Sequence, residues 1–167
     1  MGYKMKSHKF YLNASNYFLD FPQNNKLNTD ENEYNYLSSV LLFWITLETF
    51  VNTISETFSI GTRLKSHEKS FLNEKELRVN DEGVFEEINI RPSTTKKILF
   101  LISYFTRVDI KRFKQKQIWR NLKSFEDLRN KIIHYKEKNN ITITIKKAKE
   151  CRDITKETII YLTKILK

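Results

Sequence analysis

The chain has 167 residues, with 30 Lys and Arg against 20 Asp and Glu, a formal charge of +10. That length suits one domain, residues 1–167, and three glycines and two prolines are too few for the tight turns of a β-sandwich or barrel. One cysteine and three histidines exclude a disulfide framework and a cysteine-rich zinc centre. The longest uncharged run, residues 34–47, is shorter than a bilayer crossing, and no secretory signal pattern opens the chain. These features lead us to expect a soluble, cytoplasmic, mostly helical protein with no membrane partner, no metal and no cofactor.

The spacing of apolar residues predicts a first helix over residues 4–20, ended by Pro22, followed by a polar, Asn-rich loop to residue 32. Thr29 or Asp30 then caps a long helix reaching about Ser59, with Leu37, Leu41, Trp44, Leu47, Phe50 or Val51, Ile54 and Phe58 as its apolar stripe. A shorter helix is predicted over residues 66–79, a turn at residues 80–83, and a short strand or extended loop at residues 84–90. Pro92 and Ser93 start a helix through Phe105. A basic connector, residues 107–117, leads into a helix at about residues 115–136 whose core face is Ile118, Leu122, Phe125, Leu128, Ile132 and Ile133. Residues 141–145 alternate like a marginal strand, and a last helix begins near Ala148 or Asp153 and runs to Leu166. The expected fold is therefore all-α, an up-and-down bundle of about five helices with room for one short β-ribbon. Residues 1–29 read as an N-terminal extension and residues 30–167 as the core.

The charge is unevenly placed. Residues 107–149 carry 14 basic and four acidic side chains, whereas the other 124 residues are balanced at 16 of each. A one-sided positive field favours a polyanion, most simply nucleic acid. Lys111, Arg112, Lys114, Lys116, Arg120 and Lys131 are the candidate RNA-binding residues, as a phosphate-binding rim or, for the first four, an ordinary solvated connector.

Chemistry concentrates in Glu126-Asp127-Leu128-Arg129-Asn130-Lys131-Ile132-Ile133-His134-Tyr135. On a helix Glu126, Asn130 and His134 recur every four residues and share one face. Arg129 and His134 are about 140° apart around the axis and rise by about 7.5 Å, so only the length of arginine brings the two heads together. Histidine moves protons near neutral pH, and arginine stabilises charge on a phosphorane. Asparagine can hold a hydroxyl, a phosphate oxygen or the imidazole. Such parts suit metal-free RNA cleavage by attack of the ribose 2′-hydroxyl on the adjacent phosphate. That reaction needs a base and an acid, which two copies of the helix facing across a two-fold axis would supply.

These residues resemble the signature of the HEPN domains of prokaryotic ribonucleases, toxins and defence proteins: an Arg, often followed by a polar residue, then a His four to six residues on in a late helix. Arg129-Asn130-Lys-Ile-Ile-His134 is similar to its commonest form, and Trp119, Leu122, Phe125 and Leu128 match the apolar lead-in. Trp44-Ile-Thr-Leu47-Glu48-Thr-Phe50-Val-Asn52 is similar to the pattern on the family's earlier long helix. The resemblance covers roughly residues 30–165. It implies a helical bundle that dimerises, with Arg129, Asn130 and His134 of both chains catalytic at the interface, RNA as substrate, and an antitoxin or regulatory protein as a further partner. In the branch paired with a nucleotidyltransferase antitoxin a Tyr lies two residues after the His; here Tyr135 follows directly and Lys136 takes the second place.

Support residues have alternative readings. Glu126 either fixes Arg129 or takes part in acid–base chemistry, and Tyr135 either packs or stacks on a base. Glu48 and Asn52 are buried partners of the motif helix, direct site residues, or exposed. His8 and His67 read as surface residues, Cys151 as structural, and Trp44 and Trp119 as core anchors. Two alternatives to the ribonuclease stand beside it: a non-catalytic HEPN-like module binding RNA, nucleotide or a protein, and a helical interaction subunit.

Overall fold

The computed structural model describes residues 7–25, 27–61, 64–134 and 141–167. In chain order the elements are α1 (Ser7–Asn24), α2 (Thr29–Gly61), α3 (Ser66–Leu72), β1 (Lys75–Val79), β2 (Phe85–Asn89), α4 (Thr94–Phe105), α5 (Ile110–Gln115), α6 (Gln117–Ile133) and α7 (Ile145–Ile165). The fold is mainly α, with seven helices and one two-stranded antiparallel sheet among the described residues, against the bundle of about five helices with room for one short β-ribbon expected.

Helix α2 is the spine. Its start is fixed by Asn28, whose Oδ1 accepts the Glu31 amide at 2.8 Å, while the Glu31 carboxylate accepts the Asn28 amide at 3.1 Å. This reciprocal cap sits one residue before the Thr29 or Asp30 expected from sequence. By length and composition alone α2 could cross a bilayer, beyond what the uncharged run suggested. Here Val40, Phe43, Trp44, Leu47 and Val51 are buried in a core shared with α1, α4, α6 and α7. Leu19 of α1 is fully buried in that core, so the segment expected as an extension is part of the bundle. Pro22 does not end α1 but lies in its last turn, where the missing N–H costs a single helical bond. The His8 ring packs edge-on against Phe50 at 5.4 Å rather than standing on the surface.

The helix predicted over residues 66–79 ends at Leu72. Asn73 leaves the helical conformation, and Glu74 has φ +61°, which no continuing helix permits. Beyond it Lys75–Val79 pairs with Phe85–Asn89 in the register Leu77↔Glu87. The Asn80 side chain closes the turn by accepting the amides of Glu82 and Val84, and Gly83 takes φ +75°. Lys97 of α4 fastens this hairpin to the bundle. Its side chain is only 3% exposed, and its Nζ donates to Asn52 Oδ1 at 2.8 Å and to Glu74 Oε1 at 2.7 Å.

The basic connector contains α5, capped by the Asp109 carboxylate on the Arg112 amide and anchored by buried Phe113, which stacks on Tyr161. The alternating stretch 141–145 is not a strand. Ile143 is buried, its amide donates to Glu33 at 2.9 Å, and Thr144 caps α7, which begins earlier than expected. Buried Cys151 and Thr155 face α2, where the Thr155 hydroxyl donates to the Phe43 carbonyl.

Candidate active site

Helix α6 carries the motif because buried Leu122 and Phe125 lock one face onto α2, with the Phe125 ring edge-on to Trp44 at 5.2 Å. That packing turns Arg129 and Asn130 toward a cleft of about 290 Å³. Trp44 and Glu48 of α2, Arg91 and Pro92 before α4, and Glu126 of α6 also line it. The Arg129 guanidinium donates to Asn130 Oδ1 at 3.0 Å, which aims the pair together.

His134 is placed differently from the shared face expected. The helix stops at Ile133 and His134 is its C-cap, with φ −101° and ψ 44°, its amide donating to the Asn130 carbonyl. Its ring is exposed and does not line the cleft. One chain therefore presents Arg129 and Asn130 to the cleft and His134 past the end of the same helix. Tyr135 lies outside the described residues.

Glu126 does not hold Arg129. It is 6% exposed; one oxygen accepts the Thr95 hydroxyl at 2.8 Å and the other pairs with Lys123. Its carboxylate ties α6 to α4. Glu48 lines the cleft, half-buried, as a site residue would. Asn52, one turn further along α2, faces a separate cleft with Glu74 and Lys97 and is occupied by the Lys97 ammonium.

The candidate RNA-binding residues divide between the two ends of α6. Lys111, Arg112 and Lys114 lie on α5, and Lys116 caps the start of α6 with its Nζ over the Tyr161 ring at 5.1 Å. Arg120 donates to Gln117 on the same turn. Lys116 and Arg129 are 13 residues apart on one helix, about 20 Å. Of the six, Lys131 alone stands at the Arg129 end, exposed. Among the described residues no three His, Cys, Asp or Glu side chains converge as a metal site would require.

Sequence reasoning missed Arg91, Thr94 and Lys97. The Arg91-Pro92-Ser93 start of α4 was legible as a helix N-terminus, a place where backbone N–H groups gather, but not as a neighbour of Arg129. Compared with protein-family models, curated proteins and solved structures, the chain matches none.

Proposed function

We propose that the protein is a metal-independent endoribonuclease of HEPN type, a cytoplasmic toxin or anti-phage effector that works as a homodimer. The observation that carries this reading is the division of the motif: Arg129 and Asn130 line a cleft while His134 stands exposed beyond it. Two chains meeting at this end of α6 would bring two imidazoles to the two clefts. An open apolar cleft lined by Leu37, Leu41, Ile132, Ile133 and Ile141 adjoins that end, and Ile133 is 48% exposed, which suits a second copy.

In the proposed reaction one His134 removes the proton of a ribose 2′-hydroxyl. The 2′-oxygen bonds to phosphorus, and the bond to the 5′-oxygen breaks as the other His134 protonates that oxygen. The products are a 2′,3′-cyclic phosphate and a 5′-hydroxyl end. Arg129 neutralises the phosphorane and Asn130 orients it. A regulatory partner would restrain such an activity in the cell.

The test is cleavage of RNA by purified protein in excess EDTA, beside Arg129→Ala and His134→Ala, with the ends analysed. Each substitution is expected to lower the rate by about 10²-fold or more. Because the reaction needs both histidines, mixing equal amounts of wild type and His134→Ala, with subunits exchanging, leaves about a quarter of the activity if the dimer is the unit, and about half if each chain acts alone. The position of His134 outside its own cleft also favours a second reading, a module that binds RNA, nucleotide or protein without cutting it. Intact RNA after incubation with folded, dimeric protein would establish that one.

A further inference from the structure

We propose that the N-terminus of α4, with Arg91 and Thr94, is a phosphodiester-binding subsite that holds the RNA strand beside Arg129. The ligand class rests on the ribonuclease reading; the subsite rests on three observations of its own.

The first is an unpartnered polar group. Thr94 is 6% exposed and lines the cleft, and its hydroxyl makes no hydrogen bond among the described residues. The oxygen itself is not sealed off, so it opens to the cleft and bonds to water or to whatever enters. Its neighbours are engaged otherwise: the Ser93 hydroxyl accepts the Lys96 amide, and the Thr95 hydroxyl donates to Glu126.

The second is the backbone. Helix α4 has 12 residues, and its Lys96 and Lys97 amides are capped by the side chain and carbonyl of Ser93. The amides of Thr94 and Thr95 have no acceptor among the described residues. They add donors and the positive end of the helix dipole to the Thr94 hydroxyl.

The third is charge. Arg91 and Arg129 line the same cleft from different elements. Two carboxylates line it as well, but Glu126 is paired with Lys123, which leaves Glu48 as the one carboxylate without an ion-pair partner among the described residues. Two arginines therefore outweigh one uncompensated carboxylate, and a guanidinium fork suits a phosphate. At about 290 Å³ the cleft has room for a phosphate and part of its sugar.

The test is fluorescence anisotropy with a labelled, uncleavable 2′-O-methyl oligouridylate at fixed salt. Arg91 is exposed and Thr94→Val keeps the shape of threonine, so both variants are expected to fold, with circular dichroism as the check. Arg91→Ala should weaken binding about tenfold, Arg91→Lys by less, and Thr94→Val about threefold. Lys156→Ala removes an exposed cation of α7 and should change binding less than about twofold. Equal effects of Arg91→Ala and Lys156→Ala would overturn the subsite, because only net charge would then matter. An unchanged Thr94→Val would overturn the role of α4. Inorganic phosphate at matched ionic strength should not displace the oligonucleotide; displacement that depends on Arg91 would assign the site to free phosphate and overturn the RNA ligand. Arg91-dependent binding by a protein that cleaves nothing leaves this proposal standing and removes the nuclease reading. Cleavage that needs Arg129 and His134 but is indifferent to Arg91 does the reverse.

Discussion

The buried ammonium of Lys97 makes a prediction that runs against intuition: removing its more exposed partner should cost more than removing Lys97 itself. The Lys97 side chain is 3% exposed, that of Glu74 is 41% exposed, and they meet at 2.7 Å. Lys97→Met keeps the length of the chain and removes the charge. It forfeits two charge-assisted hydrogen bonds, but it also abolishes the cost of holding an ammonium out of water, and Glu74 returns to solvent. The two effects nearly offset, for a net loss of about 1 kcal/mol. Glu74→Gln preserves an acceptor oxygen but leaves the ammonium buried beside neutral Asn52. Breaking such a pair from one side costs about 3–5 kcal/mol in a dry interior, and water at the exposed Glu74 lowers that to about 2–4 kcal/mol. The double substitution should resemble Lys97→Met alone, since no charge remains to be stranded. Urea unfolding followed by circular dichroism at pH 7 measures all three, read from the midpoints at constant slope. A Lys97→Met loss equal to or larger than that of Glu74→Gln would refute the reasoning. It would mean that Lys97 is held by packing of its stem, with its charge reaching water.

Three further outcomes follow from the same structure. Asn28→Ala removes the acceptor of the Glu31 amide at the start of α2 and should lower stability by about 1 kcal/mol, measured by thermal unfolding. Burial pushes the Cys151 thiol up to about 12, so iodoacetamide should label the native protein at pH 8 only as fast as α7 opens. With an unfolded thiol near 8.5, the unfolded chain alone releases this proton between about pH 9 and pH 12. Stability from this group is thus intact below that window and falls by up to about 1.4 kcal/mol per pH unit within it. Replacing Lys111, Arg112 and Lys114 together by Ala should weaken RNA affinity and lower the salt slope of binding by about two, with the cleavage rate of saturated enzyme unchanged.

The long-range features of this fold were legible where one period dominated. Helix α2 and the Ser93 cap of α4 were visible because apolar spacing and a capping residue agreed. The turn at residues 80–83 and the second strand of the hairpin were legible, but the first strand was not, because Lys75 to Val79 alternates charged and apolar residues that also fit a helix end; the break comes from Glu74 at φ +61°, which no local signal demands. Six-residue α5 is too short to show a period, and its existence rests on Phe113 reaching Trp119 and Tyr161. Arg129 and Asn130 were singled out from spacing and line one cleft, whereas at the start of α4 Lys96 and Lys97 are identical in sequence. Only Asn52 and Glu74, 45 and 23 positions away, make Lys97 the buried one. Thr94 and Arg91 were missed for the same reason, since their meaning comes from facing Arg129 across a cleft.

The position of His134 explains how a small protein could carry this motif without harm to its host, on the proposed reading. Arg91, Thr94, Arg129 and Asn130 belong to one cleft, which on that reading would hold a phosphate in a single chain. His134 of that chain lies outside the cleft, past a helix end that stops at Ile133. On that reading binding and chemistry are separated by an association step: a lone subunit would hold RNA, and only a pair would cut it. Had α6 continued as far as its sequence period suggested, His134 would sit one turn beyond Asn130 on the cleft face, and the monomer would hold one of the two imidazoles that the proposed reaction needs. With α6 ending at Ile133, His134 stays out of its own cleft, and on that reading the site depends on its partner. If the proposed ribonuclease is right, a protein that covers the apolar cleft between Ile133 and Leu37 would therefore silence it without touching Arg129.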